Sequence, residues 1–94
     1  MFSLRIEHVA IDYDAWKRAF DGDPLDRKES GVQSFRVMRT VDDPTYVMID
    51  LDFDTREAAE KMHTALQQLW EGPTAAAIRD PRARLVEIVE TAEL

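Results

Sequence analysis

Apolar and polar positions alternate along the chain with two different periods, which mark strands and helices. A period of two predicts four strands, at residues 3–11, 32–41, 46–53 and 83–90. A period near 3.6 predicts two helices, at about residues 14–20 and 55–70, and an extra helical turn at 74–78. The elements therefore follow in the order strand, helix, strand, strand, helix, strand, which is a βαββαβ unit.

The strand at 46–53 has the most regular alternation, and it predicts which side of the sheet is buried. One side is entirely apolar and consists of Val47, Ile49, Leu51 and Phe53. The other side is mixed and consists of Tyr46, Met48, Asp50 and Asp52. Because successive strand residues point to opposite faces, we expect the apolar set to form the core beneath the helices.

The second and fourth strands extend this two-sided pattern. In the second strand the apolar side carries Phe35, Val37 and Val41, whereas the mixed side carries Ser34, Arg36, Met38 and Thr40. In the fourth strand we expect the side facing away from the helices to carry Leu85, Glu87 and Val89. The helix-facing side of that strand would then carry Val86 and Ile88.

The first strand allows two orientations for His8. Turning Leu4 and Ile6 toward the helices keeps Arg5 and Glu7 out of the core, where an unpaired charge is costly. The same parity turns His8 toward the helices as well. A β-bulge near His8 would reverse the direction locally, so both orientations remain open.

Capping and turn residues bound these elements. Asp12 or Asp14 can accept a hydrogen bond from the free amides of the first helix. Asp54 and Glu57 have the spacing of a capping box for the second helix. Residues 42–45, Asp-Asp-Pro-Thr, predict a turn that joins antiparallel neighbours.

The order of elements indicates one fold class. A βαββαβ unit of 94 residues is typical of a single α+β domain, spanning 1–94, with the split-βαβ, ferredoxin-like fold. Right-handed crossovers place both helices on one face of a four-stranded antiparallel sheet. The opposite face is too apolar for solvent and too charged for a dry core. We therefore expect a homodimer through the sheet faces, which makes a dimeric α+β barrel.

Composition and charge exclude several classes of function. The net charge of -7 repels phosphate backbones, so we expect no nucleic-acid partner. Without cysteine, and with two histidines that lack ligand spacing, we expect no metal site. The apolar runs are too short to cross a bilayer, and residues 1–5 lack a signal-peptide pattern. We expect no membrane association and a cytoplasmic location.

Arg36 and Asp50 form the first candidate site, because they lie on neighbouring strands of the mixed face. The arginine can anchor an anionic or carbonyl substrate, while the carboxylate orients it or acts as a base. The same two residues could instead be an ion pair of the dimer interface. Tyr46 and Met48 lie on this face too, as cavity walls or as interface side chains.

Two further candidates, His8 and Trp16, come from the first strand and the first helix. His8 could serve as a cavity base, since histidine titrates near neutral pH. The alternative is a strand-end histidine satisfied by a backbone or carboxylate partner. Trp16 lies on the inner side of its helix, either as an ordinary core aromatic or as one wall of a cavity.

Three segments resemble those of small dimeric α+β barrel proteins, the relatives of the antibiotic biosynthesis monooxygenases. They are the strand ending in Asp12-Tyr13-Asp14-Ala15-Trp16, the turn Asp42-Asp43-Pro44, and the strand running into Asp54-Thr55-Arg56-Glu57-Ala58-Ala59. The resemblance implies a ferredoxin-like homodimer with a cavity between sheet and helices in each protomer. Members include cofactor-free monooxygenases and haem-degrading enzymes, which use an asparagine with a tryptophan and a histidine. This chain contains no asparagine.

Three functions are compatible with these observations. The first is a cofactor-free enzyme of the monooxygenase-like or isomerase-like kind that acts on a small organic ligand. Its dry pocket would be lined by Arg36, Asp50, Tyr46, Met48 and Trp16. The second is a non-catalytic ligand-binding homodimer that uses the same pocket. The third is a structural homodimer without a pocket. We rank a small-molecule-binding protein of the monooxygenase-like type first, and whether it is an enzyme stays open.

Overall fold

The computed structural model describes residues 1–94, except for the side chain of Thr74. Its elements are β1 (Phe2–Ala10), α1 (Tyr13–Asp21), β2 (Val32–Arg39), β3 (Tyr46–Phe53), α2 (Arg56–Trp70) and β4 (Ile78–Glu87). A short 3-10 helix, Pro73–Ala77, lies between α2 and β4. The predicted βαββαβ order and the predicted α+β, ferredoxin-like fold are confirmed.

The sheet is antiparallel throughout, with the strand order β2-β3-β1-β4. Both helices lie on one side of it, which we call the inner face; the other side is the open face. On the inner face β3 contributes Val47, Ile49, Leu51 and Phe53, none more than 3% exposed. These residues are the predicted core, and they pack with Leu4, Ile6, Trp16 and Met62. Because β1 and β3 are the central strands, nearly all of their inner-face residues are buried beneath the helices.

Register places the residues of the open face in rows that run across the sheet. One row consists of Arg36, Asp50, Arg5 and Arg84, from β2 to β4. The row on one side of it consists of Met38, Met48, Glu7 and Arg82. The row on the other side consists of Ser34, Asp52, Ser3 and Val86. Residues that are directly opposite in antiparallel strands point to the same face, so each row is a set of potential contacts.

The prediction for β4 was wrong in both its start and its phase. The strand begins at Ile78 rather than at Ala83, and it continues through Asp80, which has a φ of +52°. Leu85 lies opposite Leu4 on the inner face, whereas it was expected on the open face. From Arg82 to Glu87 the strand pairs regularly with β1, but Leu85 and Val86 are both apolar, so alternation alone does not tell which of them faces the helices.

Helix starts follow the predicted chemistry, with one correction. Asp12 caps α1, since its Oδ1 accepts a hydrogen bond from the N–H of Ala15 at 3.1 Å. The cap of α2 is Thr55, whose Oγ1 accepts from the N–H of Ala58 at 3.2 Å. Asp54 is therefore not the cap, because the helix begins one residue later than the capping-box pattern implied.

The register of β1 settles the direction of His8. His8 lies opposite Val47 of β3 in an unbroken ladder, so its side chain faces the helices. The pairing of β1 with β4 does shift between Glu7 and Val9, which is the irregularity considered from sequence. The shift disturbs only the β4 side of β1 and does not reverse His8.

Candidate functional site

The sheet separates the six candidate residues into two groups. Arg36, Asp50, Tyr46 and Met48 lie on the open face, by register with their neighbours. His8 and Trp16 lie on the inner side, with ring centroids 5.2 Å apart in an edge-on contact. A single pocket that contains both Trp16 and Arg36 is therefore not formed within one protomer, and that part of the first hypothesis was wrong.

Asp50 is the centre of the open-face cluster. Its Oδ1 accepts from Nε of Arg5 at 2.9 Å, and its Oδ2 accepts from Nη2 of Arg5 at 3.3 Å. Arg36 donates a third hydrogen bond, from Nη2 to Oδ2 at 3.1 Å. The Asp50 side chain is only 6% exposed, while Arg5 and Arg36 are 49% and 72% exposed. The predicted Arg36–Asp50 contact is thus present, but Arg5 makes the closer, two-pronged contact with the carboxylate.

Tyr46 and Glu7 form a second polar contact on the open face. Its hydroxyl donates to Oε1 of Glu7 at 2.6 Å. This hydrogen bond raises the pKa of Tyr46, because losing the phenolic proton would both break the bond and place two negative charges together. Tyr46 therefore stays a neutral donor at physiological pH.

An apolar pocket lies on the opposite side of the sheet, between the inner face and the helices. Its volume is about 130 Å³. The lining is mostly aliphatic and aromatic, and includes Ile6, Ile49, Leu51, Met62, Leu66 and Trp70. An apolar cavity of roughly 150 Å³ is large enough for benzene. We call this cavity the inner pocket, and its size suits one small ring.

His8 is the polar group at the base of the inner pocket. It is 2% exposed and borders Trp16. Burial lowers the pKa of His8 because it penalises the charged imidazolium, although the Val9 carbonyl, 3.3 Å from Nδ1, partly opposes the effect. His8 is therefore a neutral imidazole at pH 7. With the Nδ1 proton directed at Val9, Nε2 carries the free lone pair.

We predict that His8 makes the protein less stable in mild acid. Its unfolded pKa is near 6.5 and its folded pKa is lower, so the unfolded chain binds the extra proton first. The free energy of unfolding should fall as the pH drops below 6.5, by up to about 1.4 kcal/mol for each pH unit. Urea unfolding of the wild type and of His8→Gln between pH 7.5 and 5 measures the difference. His63→Gln is the control, and a variant His8→Gln with the wild-type slope would contradict the assignment.

The mouth of the inner pocket carries two charged residues. Arg27 and Asp23 both line it, with Nε of Arg27 3.5 Å from Oδ1 of Asp23. The backbone N–H of Arg27 donates to the same oxygen at 2.9 Å. Asp23 has a φ of +53°, a left-handed conformation that aspartate tolerates better than most residues. The loop between α1 and β2 is thus wound so that a cation and an anion lie at the opening.

Sequence reasoning missed Arg5, Asp23 and Arg27. Arg5 was placed on the correct face, and the ferredoxin-like strand order, in which β1 borders β3, could have brought it to Asp50. Asp23 and Arg27 lie in a charged connection without periodicity, so no pattern in the sequence pointed to them. Among the described residues, no group of three or more His, Asp or Glu side chains could hold a metal ion.

Solved structures with the same architecture match nearly the whole chain. Two are putative antibiotic biosynthesis monooxygenases, from Deinococcus radiodurans (19% identity, TM-score 0.69) and Bordetella bronchiseptica (14%, 0.64). They cover 100% and 95% of this chain, and 98% of each matched chain. A third, a dimeric ferredoxin-like protein from an uncultured marine organism, has 12% identity and a TM-score of 0.70, with 97% of both chains covered.

These similarities establish that the fold is ferredoxin-like. No protein-family model and no curated protein matches the sequence. In the described part of the chain, no helix is long and apolar enough to cross a membrane. The cytoplasmic location and the absence of a cofactor stay predictions.

Proposed function

We propose that this chain is a small-molecule-binding protein of the monooxygenase-like type, with its site in the inner pocket. The ligand is a compact organic molecule of about one ring that carries an acidic O–H or C–H group. One observation carries this proposal: His8, a neutral imidazole, is buried in the wall of a cavity whose lining is mostly apolar. Perturbed titratable groups in clefts are frequent at functional sites.

His8 can act as a hydrogen-bond acceptor or as a base. The lowered pKa keeps it in the basic form at neutral pH, although it also makes the imidazole a weaker base. A ligand that becomes anionic beside it would stabilise the imidazolium and partly offset the cost of burial. Deprotonation makes an aromatic ring more electron-rich and therefore easier to oxidise, and two solved structures of the same fold are putative monooxygenases.

Binding of phenol and of toluene tests this site. The two molecules have nearly the same size, but phenol alone can donate a hydrogen bond to His8. We expect the wild type to bind phenol more tightly, with Trp16 and Trp70 fluorescence as the signal, since both line the inner pocket. If neither molecule changes the tryptophan fluorescence, the pocket is not a binding site.

If His8 is the catalytic base, His8→Gln should lower the rate of substrate turnover by 100-fold or more.

Turnover separates the enzyme from the non-catalytic binder. Oxygen consumption with a panel of single-ring phenols, measured for the wild type and for His8→Gln, gives the distinction. His63→Gln removes the other histidine of the chain, on α2 and away from the pocket lining, and serves as the matched control. Tight binding without oxygen uptake or substrate proton exchange would favour the non-catalytic alternative.

Two observations support the proposed homodimer through the open face. A solved structure of the same fold is a dimeric ferredoxin-like protein. Met38 and Met48 lie opposite each other on this face and are only partly buried, so a second copy would remove their apolar surface from water. Light scattering should then give about twice the 10.8 kDa mass of one chain at micromolar concentration. A stable monomer there would contradict the dimer.

A further inference from the structure

Arg27 is a permanent cation at a cavity whose lining is mostly apolar. Among the described residues that line the inner pocket, no other lysine or arginine is present. Its side chain is 17% exposed, so the charge is partly withdrawn from water. A guanidinium in such a place interacts with an anion more strongly than one on an open surface does.

The guanidinium of Arg27 is held in place by aromatic and backbone contacts. Its central carbon lies 4.0 Å from the ring centroid of Phe20 and 4.9 Å from that of Phe35. Nη1 donates to the carbonyl oxygen of Phe20 at 2.9 Å. An arginine fixed in this way loses little further side-chain entropy when it binds a ligand.

Part of the donor set of Arg27 is unused. Nη2 makes no hydrogen bond to any of the described residues, while Nη1 bonds to Phe20 and Nε faces Asp23. We propose that Arg27 binds the carboxylate of the ligand at the mouth of the inner pocket, so that the substrate class is a single-ring aromatic acid. This inference rests on the proposed function, because it assigns the second end of a molecule whose ring lies beside His8.

Asp23 lowers the affinity of this site for an anion. Its carboxylate already shares the charge of Arg27, so an incoming anion is opposed by Asp23. Asparagine can keep the hydrogen bond from the Arg27 N–H and tolerates the positive φ of this position. The variant Asp23→Asn therefore removes the opposing charge with little change to the loop.

Matched acids and amides test the proposal. The probes are 4-hydroxyphenylacetate and 3-(4-hydroxyphenyl)propionate, each compared with its primary amide by calorimetry and tryptophan fluorescence. We expect each acid to bind the wild type about tenfold more tightly than its amide, as for one charge-assisted contact near a surface. Arg27→Gln should reduce that ratio to about one. Arg27→Lys should give an intermediate ratio, and Asp23→Asn a larger one than the wild type.

The control is Lys28→Gln, which removes a positive charge from the next position, outside the pocket lining. It should leave the acid-to-amide ratio unchanged. Equal binding of acid and amide by the wild type would overturn the carboxylate site while leaving the proposed pocket intact. Equal weakening of both probes by Arg27→Gln would show that Arg27 only supports the loop. No binding of any probe would overturn both proposals.

Discussion

Replacing Phe53 by alanine is expected to lower the free energy of unfolding by about 3 to 5 kcal/mol. Phe53 is 0% exposed at the end of β3, and it is among the largest fully buried side chains of the core. The loss combines the transfer energy of the ring with the cavity that it leaves behind. Small domains have roughly 5 to 15 kcal/mol in total, so the variant would be close to unfolding at 37 °C.

Phe35→Ala is the matched control for this experiment. Phe35 is 46% exposed on the neighbouring strand, where its ring contacts Phe20 edge-on at 5.4 Å. We expect a loss of about 1 kcal/mol, because a large part of this ring already contacts water. Urea unfolding followed by circular dichroism measures both variants. Similar losses for Phe35 and Phe53 would mean that the core is not where the structure places it.

Removing both arginines of the open-face cluster is the second large expected effect. Asp50 is only 6% exposed, and the double variant Arg5→Ala/Arg36→Ala removes all three hydrogen bonds that its carboxylate accepts from these arginines. Breaking a buried pair by deleting one side costs about 3 to 5 kcal/mol. We expect about 2 kcal/mol here, since Arg5 and Arg36 are 49% and 72% exposed and water can enter where they were.

A third substitution distinguishes a stranded carboxylate from lost packing. Adding Asp50→Ala to the double variant should recover most of the stability, because the unpaired charge is then gone. Lys17→Ala is the control, since it removes an exposed ion pair with Asp21 and should cost less than about 0.5 kcal/mol. If the triple variant is no more stable than the double variant, the arginines act through their aliphatic stems instead.

The sequence predicted strands most accurately where the alternation of apolar and polar side chains is undisturbed. β3 was predicted with its observed bounds, Tyr46–Phe53, because a central strand with one apolar side leaves a clean period of two. β4 was predicted to start too late, because Asp80 and Pro81 lie inside the strand although both residue types are typical of turns. Its phase was wrong because Leu85 and Val86 are both apolar, so either could have faced the helices. Val41 was assigned to β2, but it lies beyond the strand and is 97% exposed.

The candidate site was harder to predict than the fold. Arg36 and Asp50 were found because both lie on strands with a readable pattern, and their contact needs only antiparallel pairing. Arg27 depends on the path of an irregular loop that brings it over Phe20 and Phe35. The inner pocket depends on how far the helices stand from the sheet, which side-chain periodicity does not encode.

The period of two in β1 has a consequence for how relatives of this chain can vary in length. Glu7 and His8 are adjacent in sequence, yet one contacts Tyr46 on the open face and the other borders Trp16. Inserting or deleting one residue at the start of β1 would exchange the residues of the inner face with those of the open face. Arg5 would then point inward and Leu4 outward. Homologues should therefore accumulate insertions and deletions in the connections between elements, and almost none inside the two central strands.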